Sequence, residues 1–170
     1  MRSMTRSVVL LTLLSISSCA ARPASLRAQY DKRLLNLEKE RDKLNRQTDP
    51  VGRAKTDIKI SEILLSLVTD AVRTGDAELI EQRLEEYVAV IQDAHRTMVK
   101  TGRDAHRQPK GFKDLEIALR RQVRQLEDIG KVLAFDQREP VDKAKEQASD
   151  IRDDLLKALF GEQNAPSRKS

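Results

Sequence analysis

The sequence predicts an all-α fold: an elongated antiparallel bundle of four to five helices. Three observations predict it. Over long segments apolar residues recur at spacings of three and four, which puts them on one face of a helix. No segment sustains period-two alternation, and no Asn-Gly or Asp-Gly hairpin signal occurs in the 170 residues. Charged residues make up 35% of the chain and aromatics 3%, with no Trp, a composition of long helices rather than of a ring-lined pocket.

The chain opens on Arg2 and Arg6, followed by nine largely apolar residues, 8–16, and then small polar ones. As a helix nine residues span about 14 Å, less than half of a hydrocarbon core about 30 Å thick. The run is too short for a stable transmembrane anchor. A basic start, a short apolar core and a small-residue exit describe an export signal. Ile16-Ser17-Ser18-Cys19 closes it, and Cys19 is the only cysteine of the chain. This tetrad, at this distance from the apolar run, resembles the lipobox of bacterial lipoproteins. The resemblance covers about the first twenty residues. It implies a signal peptide at 1–18, cleavage before Cys19, acylation of that residue, and a lipidated tether at 19–24 that holds the protein to a membrane. Ala20 stands where an Asp would favour inner-membrane retention, so for a host with two membranes the resemblance implies the outer membrane, facing the periplasm. A plain secretory cleavage after Ala20 or Ala21 is the alternative, and it would discard Cys19 with the signal.

Removing residues 1–18 from 170 leaves 152, enough for one domain with a real core. With one cysteine no disulfide framework is possible, so stability must come from helix packing. Arg2 and Arg6 account for two of the five net positive charges, leaving the mature chain near +3. That is ordinary solubility rather than a nucleic-acid signature, and no nucleic acid is expected as a partner.

The bundle domain is expected at 25–160. Ser25 is the expected N-cap of a first helix over 26–47, whose apolar face is narrow: Leu26, Tyr30, Leu34, Leu37 and Leu44, interrupted by Arg41. Thr48-Asp49-Pro50 reads as a stop and restart, with Asp49 capping and Pro50 in the first helical position. The second helix, 50–73, carries Val51, Ala54, Ile58, Ser61, Leu65, Val68 and Val72, widened by Ile60, Ile63, Leu64, Leu67 and Ala71. So wide a stripe belongs to the most buried helix. Gly75 closes it and Asp76 caps the next. The third helix shows Ala77, Ile80, Leu84, Tyr87, Ile91, Ala94 and Met98. Gly102, Pro109 and Gly111 then mark a bend and loop, with one short helical turn at 103–107. The fourth helix shows Phe112, Leu115, Leu119, Gln122, Leu126, Ile129 and Leu133. After a break at 135–140 the fifth shows Val141, Ala144, Ala148, Ile151, Leu155 and Ala158, closed by Gly161, and 161–170 is expected to be a disordered polar tail. The turn "VRTGDAEL" resembles those of tetratricopeptide-type hairpin arrays, which stand as the alternative architecture. The recurrence of about 34 residues that such arrays need is missing.

Chemistry is sparse. The one cysteine belongs to the signal, so no Cys nucleophile is expected. His95 and His106 lie eleven residues apart, about 16 Å along a continuous helix, and cannot share a metal. Neither has a Glu three residues before it, as a di-metal bundle would need: Gln92 precedes His95 and Arg103 precedes His106. His95 follows Ala94 and should sit at the edge of the core. No Gly-rich phosphate loop occurs. No catalytic residue, metal or cofactor is therefore expected.

Charge distribution is the one feature above background. Residues 96–124 hold nine Lys/Arg against three acidic residues, whereas 76–93 hold six acidic residues against Arg83. Arg96, Lys100, Arg103 and Arg107 are spaced four, three and four apart, which on a continuous helix is one side; Lys110 and Lys113 follow beyond Pro109. These six residues are the candidate surface for an anionic partner, such as an acidic protein or a lipid headgroup. The expected function is a non-catalytic adaptor, scaffold or protein-binding module on the membrane. A carrier of an apolar ligand, or an enzyme or enzyme inhibitor, is the alternative.

Overall fold

A computed structural model describes residues 24–161, and every regular element among them is helical. Helix α1 covers Ala24–Arg46, α2 Pro50–Thr74, α3 Ala77–Val99, α4 Phe112–Val132 and α5 Glu139–Phe160, with a 3₁₀ turn at Phe135–Gln137. The expected signal, Cys19, the expected tether through residue 23 and the expected tail from 162 lie outside the described residues.

The helix boundaries follow from local chemistry. The Asp49 carboxylate accepts from the Gly52 N–H at 2.7 Å, filling one of the orphan donors at the start of α2, and Pro50 occupies the first turn. Gly75 ends α2 in left-handed backbone, φ 68°, with its N–H on the Val72 carbonyl. Asp76 caps α3 through the Leu79 N–H at 3.1 Å. Helix α1 departs from expectation. It has begun by Ala24, so Ser25 lies within the first turn and not at the cap.

Helices α2 and α3 form one antiparallel hairpin and α4 and α5 a second. The hairpins pack with α2 beside α4 and α3 beside α5, while α3 and α4 face each other across the diagonal. Lys55 pairs with Asp114, Ser61 with Gln122, and Glu62 with Arg121, so α2 and α4 run parallel. Gln92 bonds Gln147, and Leu84 lies near Ala144, so α3 and α5 are parallel too. The bundle is thus antiparallel within each hairpin and parallel between them. The reason lies in residues 100–111, long enough to carry the chain across the bundle end instead of to the adjacent corner. The hairpin unit of the alternative architecture is present twice, closed around one shared core.

Eleven of the 25 residues of α2 are buried, as its wide stripe requires. The expected stripe of α4 is buried throughout, Gln122 included. Gln122 is no misfit. The Tyr87 hydroxyl donates to its Oε1 at 3.2 Å, and its Nε2 donates to Ser61 Oγ at 2.7 Å. Ser61 Oγ donates in turn to the Ile58 carbonyl at 2.8 Å, so three helices meet on a polar chain inside the core. Two expected core positions fail: Ala77 and Ala158 are exposed. Leu159 is buried in place of Ala158, because the stripe of α5 advances by four at its last step.

Helix α1 lies outside this bundle, antiparallel along α2. Leu37 is the one fully buried α1 side chain among the described residues, with Tyr30, Leu34 and Leu44 partly buried. Polar contacts hold the rest. Arg33 pairs with Asp70, Arg41 with Glu86 at 2.6 Å, and Arg53 donates to the carbonyls of Leu44 and Gln47 at 3.1 and 3.2 Å.

Candidate functional site

The six basic residues do not share one helix. Gly102 takes φ 63° and the Thr101 hydroxyl donates to the Met98 carbonyl at 2.7 Å, so α3 stops at Val99. Arg96 is left in the last turn of α3 and Lys100 at its cap, while Arg103, Arg107 and Lys110 are in the loop and Lys113 is in the first turn of α4. The expected turn at 103–107 is a single one, closed by Gln108 N–H on the Asp104 carbonyl at 2.8 Å. All six remain exposed and gather at one end of the bundle. Their ion pairs among the described residues are local: Arg96 with Asp93 at 3.5 Å and Arg107 with Asp104 at 3.4 Å.

Of the six, Lys113 lines a concavity. An open cleft of about 470 Å³ lies between the loop at 105–109, the first half of α4 and the end of α5. Ile117, Leu156, Leu159 and Phe160 give it apolar lining; His106, Lys113, Arg120 and Arg152 give it polar lining. Glu116 organises that polar side. It is buried, and its oxygens accept from Arg120 Nη2 at 3.0 Å and from Arg152 Nε at 3.1 Å. A carboxylate out of water is stable when both oxygens take charged hydrogen bonds. Here one carboxylate fixes two guanidinium groups, one from α4 and one from α5, side by side. Lys113, Arg120 and Arg152 against Glu116 leave the cleft a net charge of two positive.

His106 secures the loop wall. Its Nδ1 lies 3.0 Å from the Leu159 carbonyl, which can only accept, so Nδ1 carries the proton. The bond takes up a carbonyl at the end of α5 that has no helical partner. The Asp104 carboxylate accepts from the His106 N–H at 2.9 Å and shapes the same loop. The charged and apolar groups lining the cleft among the described residues suit recognition of an anionic, partly apolar group.

Two further titratable groups stand out. Asp57 on α2 is about 1% exposed, and neither carboxylate oxygen has a hydrogen-bond partner among the described residues. Burial first, and the Asp93 carboxylate second, push its pKa up to about 7, against the opposing pull of Arg53. His95 is half-buried at the core edge, as expected, and burial lowers its pKa while Asp154 acts the other way. Among the described residues no group of three His, Cys, Asp or Glu side chains could hold a metal ion, and no helix is long and apolar enough to cross a membrane.

No family model matches the chain, and no curated protein or solved structure matches it either.

Sequence reasoning named Lys113 and missed Arg120, Arg152 and the burial of Glu116. The Glu116–Arg120 spacing of four was readable as a helical ion pair. Nothing in the sequence joins Arg152 to Glu116, since that contact exists only once α4 packs on α5. Asp57 had a signal: it lies three residues after Ala54 and four before Ser61, on the inward side of α2.

Proposed function

We infer that this chain is a lipoprotein anchored through acylated Cys19, and that its helical body is a non-catalytic adaptor whose α4–α5 cleft docks an acidic, apolar-bearing segment of a partner protein. The observation that carries the reading is the Glu116 clamp. A buried carboxylate holds Arg120 and Arg152 in place beside exposed apolar surface on Ile117 and Phe160. Preorganised cations next to apolar surface favour a partner that offers carboxylates and apolar side chains together, and reduce the entropy lost on docking. The lipobox supports the anchor.

Two measurements test it. Intact-mass analysis of membrane-extracted protein should give a chain beginning at Cys19 with added acyl groups, and Cys19→Ser should abolish them. A mature N-terminus at Ala21 or Arg22 without lipid would refute the anchor. A photo-crosslinking amino acid at Ile117 should capture a discrete partner in intact envelopes, and Lys113→Glu with Arg120→Glu should abolish the adduct. Equal adduct yield from the charge-reversed chain would remove the cleft from the reading.

A further inference from the structure

The opposite end of the bundle carries a different surface. Val132 is 72% exposed and Phe135 is 89% exposed, at the turn joining α4 to α5. The turn is a built structure. Leu133 between them is buried, Arg138 Nε donates to the Leu133 carbonyl at 2.9 Å, and Gln137 N–H donates to the Ala134 carbonyl at 3.0 Å. With Leu133 fixed inward, Phe135 is held outward in water. Among the described residues six large apolar side chains are exposed; Phe135 is the most exposed of them, and Val132 shares its turn.

The register of the helices says where this turn lies. Pairs Lys55–Asp114 and Glu62–Arg121 bring Val132 level with the last turn of α2. Helix α1 runs the other way, and the pairs Arg33–Asp70 and Lys59–Glu40 bring Ala24 to the same level. The chain toward Cys19 therefore leaves the bundle at the end that carries Phe135. Four residues lie between Cys19 and Ala24, five Cα steps with a reach of at most about 18 Å. A bundle is about 20 Å across two helices packed 8–10 Å apart, so a bilayer held at Cys19 is within reach of the turn.

We propose that the Val132–Phe135 turn is a membrane-contact point, seated in the interface of the bilayer to which Cys19 is anchored. The inference rests on the anchoring reading above. Beside Phe135, Asp136, Glu139, Asp142 and Glu146 outnumber Arg138 and Lys143, so no basic patch draws the turn to anionic headgroups and the contact is apolar insertion that salt does not weaken. The basic loop and the α4–α5 cleft are at the far end, turned away from that bilayer and toward a partner.

The chain has no Trp, so Phe135→Trp supplies a single indole reporter. The acylated variant, purified from membranes, is reconstituted into phosphatidylethanolamine–phosphatidylglycerol vesicles with and without brominated acyl chains. Ile117→Trp, at the cleft, is the control. Emission from Phe135→Trp should shift to the blue and be quenched about twofold by the brominated lipid at low and high salt, with Ile117→Trp unaffected. Solvent-like emission at 135, or equal quenching at both sites, overturns the membrane contact while leaving the anchor intact. A blue shift without bromine quenching assigns the turn to a protein contact and also overturns it. Intact mass of the same sample separates the two readings: without acyl groups the anchor falls, and this inference with it.

Discussion

Asp57→Asn removes the charge of a buried carboxylate while keeping its shape. In the folded chain this carboxyl titrates at about 7 against an ordinary 3.8, because burial and then Asp93 disfavour the anion more than Arg53 favours it. The folded state therefore holds the proton more tightly than the unfolded one. The contribution to stability is fully present below about pH 4, falls as pH rises, and is lost above pH 7. About three units at 1.36 kcal/mol each gives about 4 kcal/mol. The Asn variant stays neutral throughout. It should match the parent near pH 4 and exceed it by about 4 kcal/mol at pH 8, about 10 °C in Tm for a chain of this size. The quantity to read is the difference between variant and parent in urea or thermal unfolding from pH 4 to 8.5. A difference that does not change with pH would refute the reasoning, and so would a parent more stable than the variant above pH 7.

Two glycines separate backbone strain from collision. Gly75→Ala should cost about 1–2 kcal/mol through its left-handed backbone alone, since nothing lies within 4 Å of the added carbon. Gly111→Ala should cost more, roughly 3 kcal/mol, because φ is 91° and the new Cβ would lie 2.5 Å from Cε of the fully buried Met98. Urea midpoints test the order, and equal losses would show that Met98 yields freely. Gln122→Leu should cost about 1–3 kcal/mol by stranding the Tyr87 hydroxyl, with part recovered on adding Tyr87→Phe. A double-mutant cycle without coupling would remove the polar chain as a source of stability.

The limits of sequence reading follow from the range of each interaction. Asp49, Pro50, Gly75 and Asp76 act within four residues, so the boundaries of α2 and α3 were legible. The stripe of α4 was legible because its period is local, and even polar Gln122 declared itself by register. The direction of packing was not, since no residue states whether α4 will lie parallel to α2; the length of 100–111 decides that. The placing of the basic residues on one side of a single helix failed for a specific reason. Spacings of four and three were carried across Gly102, whose φ of 63° ends the helix. The cleft lies elsewhere on the same end of the bundle, and its organising contact, Glu116 with Arg152, spans 36 residues.

Among the described residues, helix α1 buries fewer side chains than any other α-helix of the fold. It joins the segment bearing Cys19 to the bundle, yet Leu37 is the one side chain it buries fully among the described residues; partly buried Tyr30, Leu34 and Leu44 and polar contacts such as Arg33–Asp70 and Arg41–Glu86 supply the rest. Elements with few buried apolar groups open at the lowest free energy, well before the core does. Peeled from α2, its 23 residues would leave the α2–α5 core in place and hinge as a rod of about 35 Å. On the proposed anchor at Cys19, load between bilayer and cleft would fall on α1 first. A peeled α1 would let the cleft roughly double its distance from the lipid surface while still folded, and α1 would then serve as a spacer released by tension.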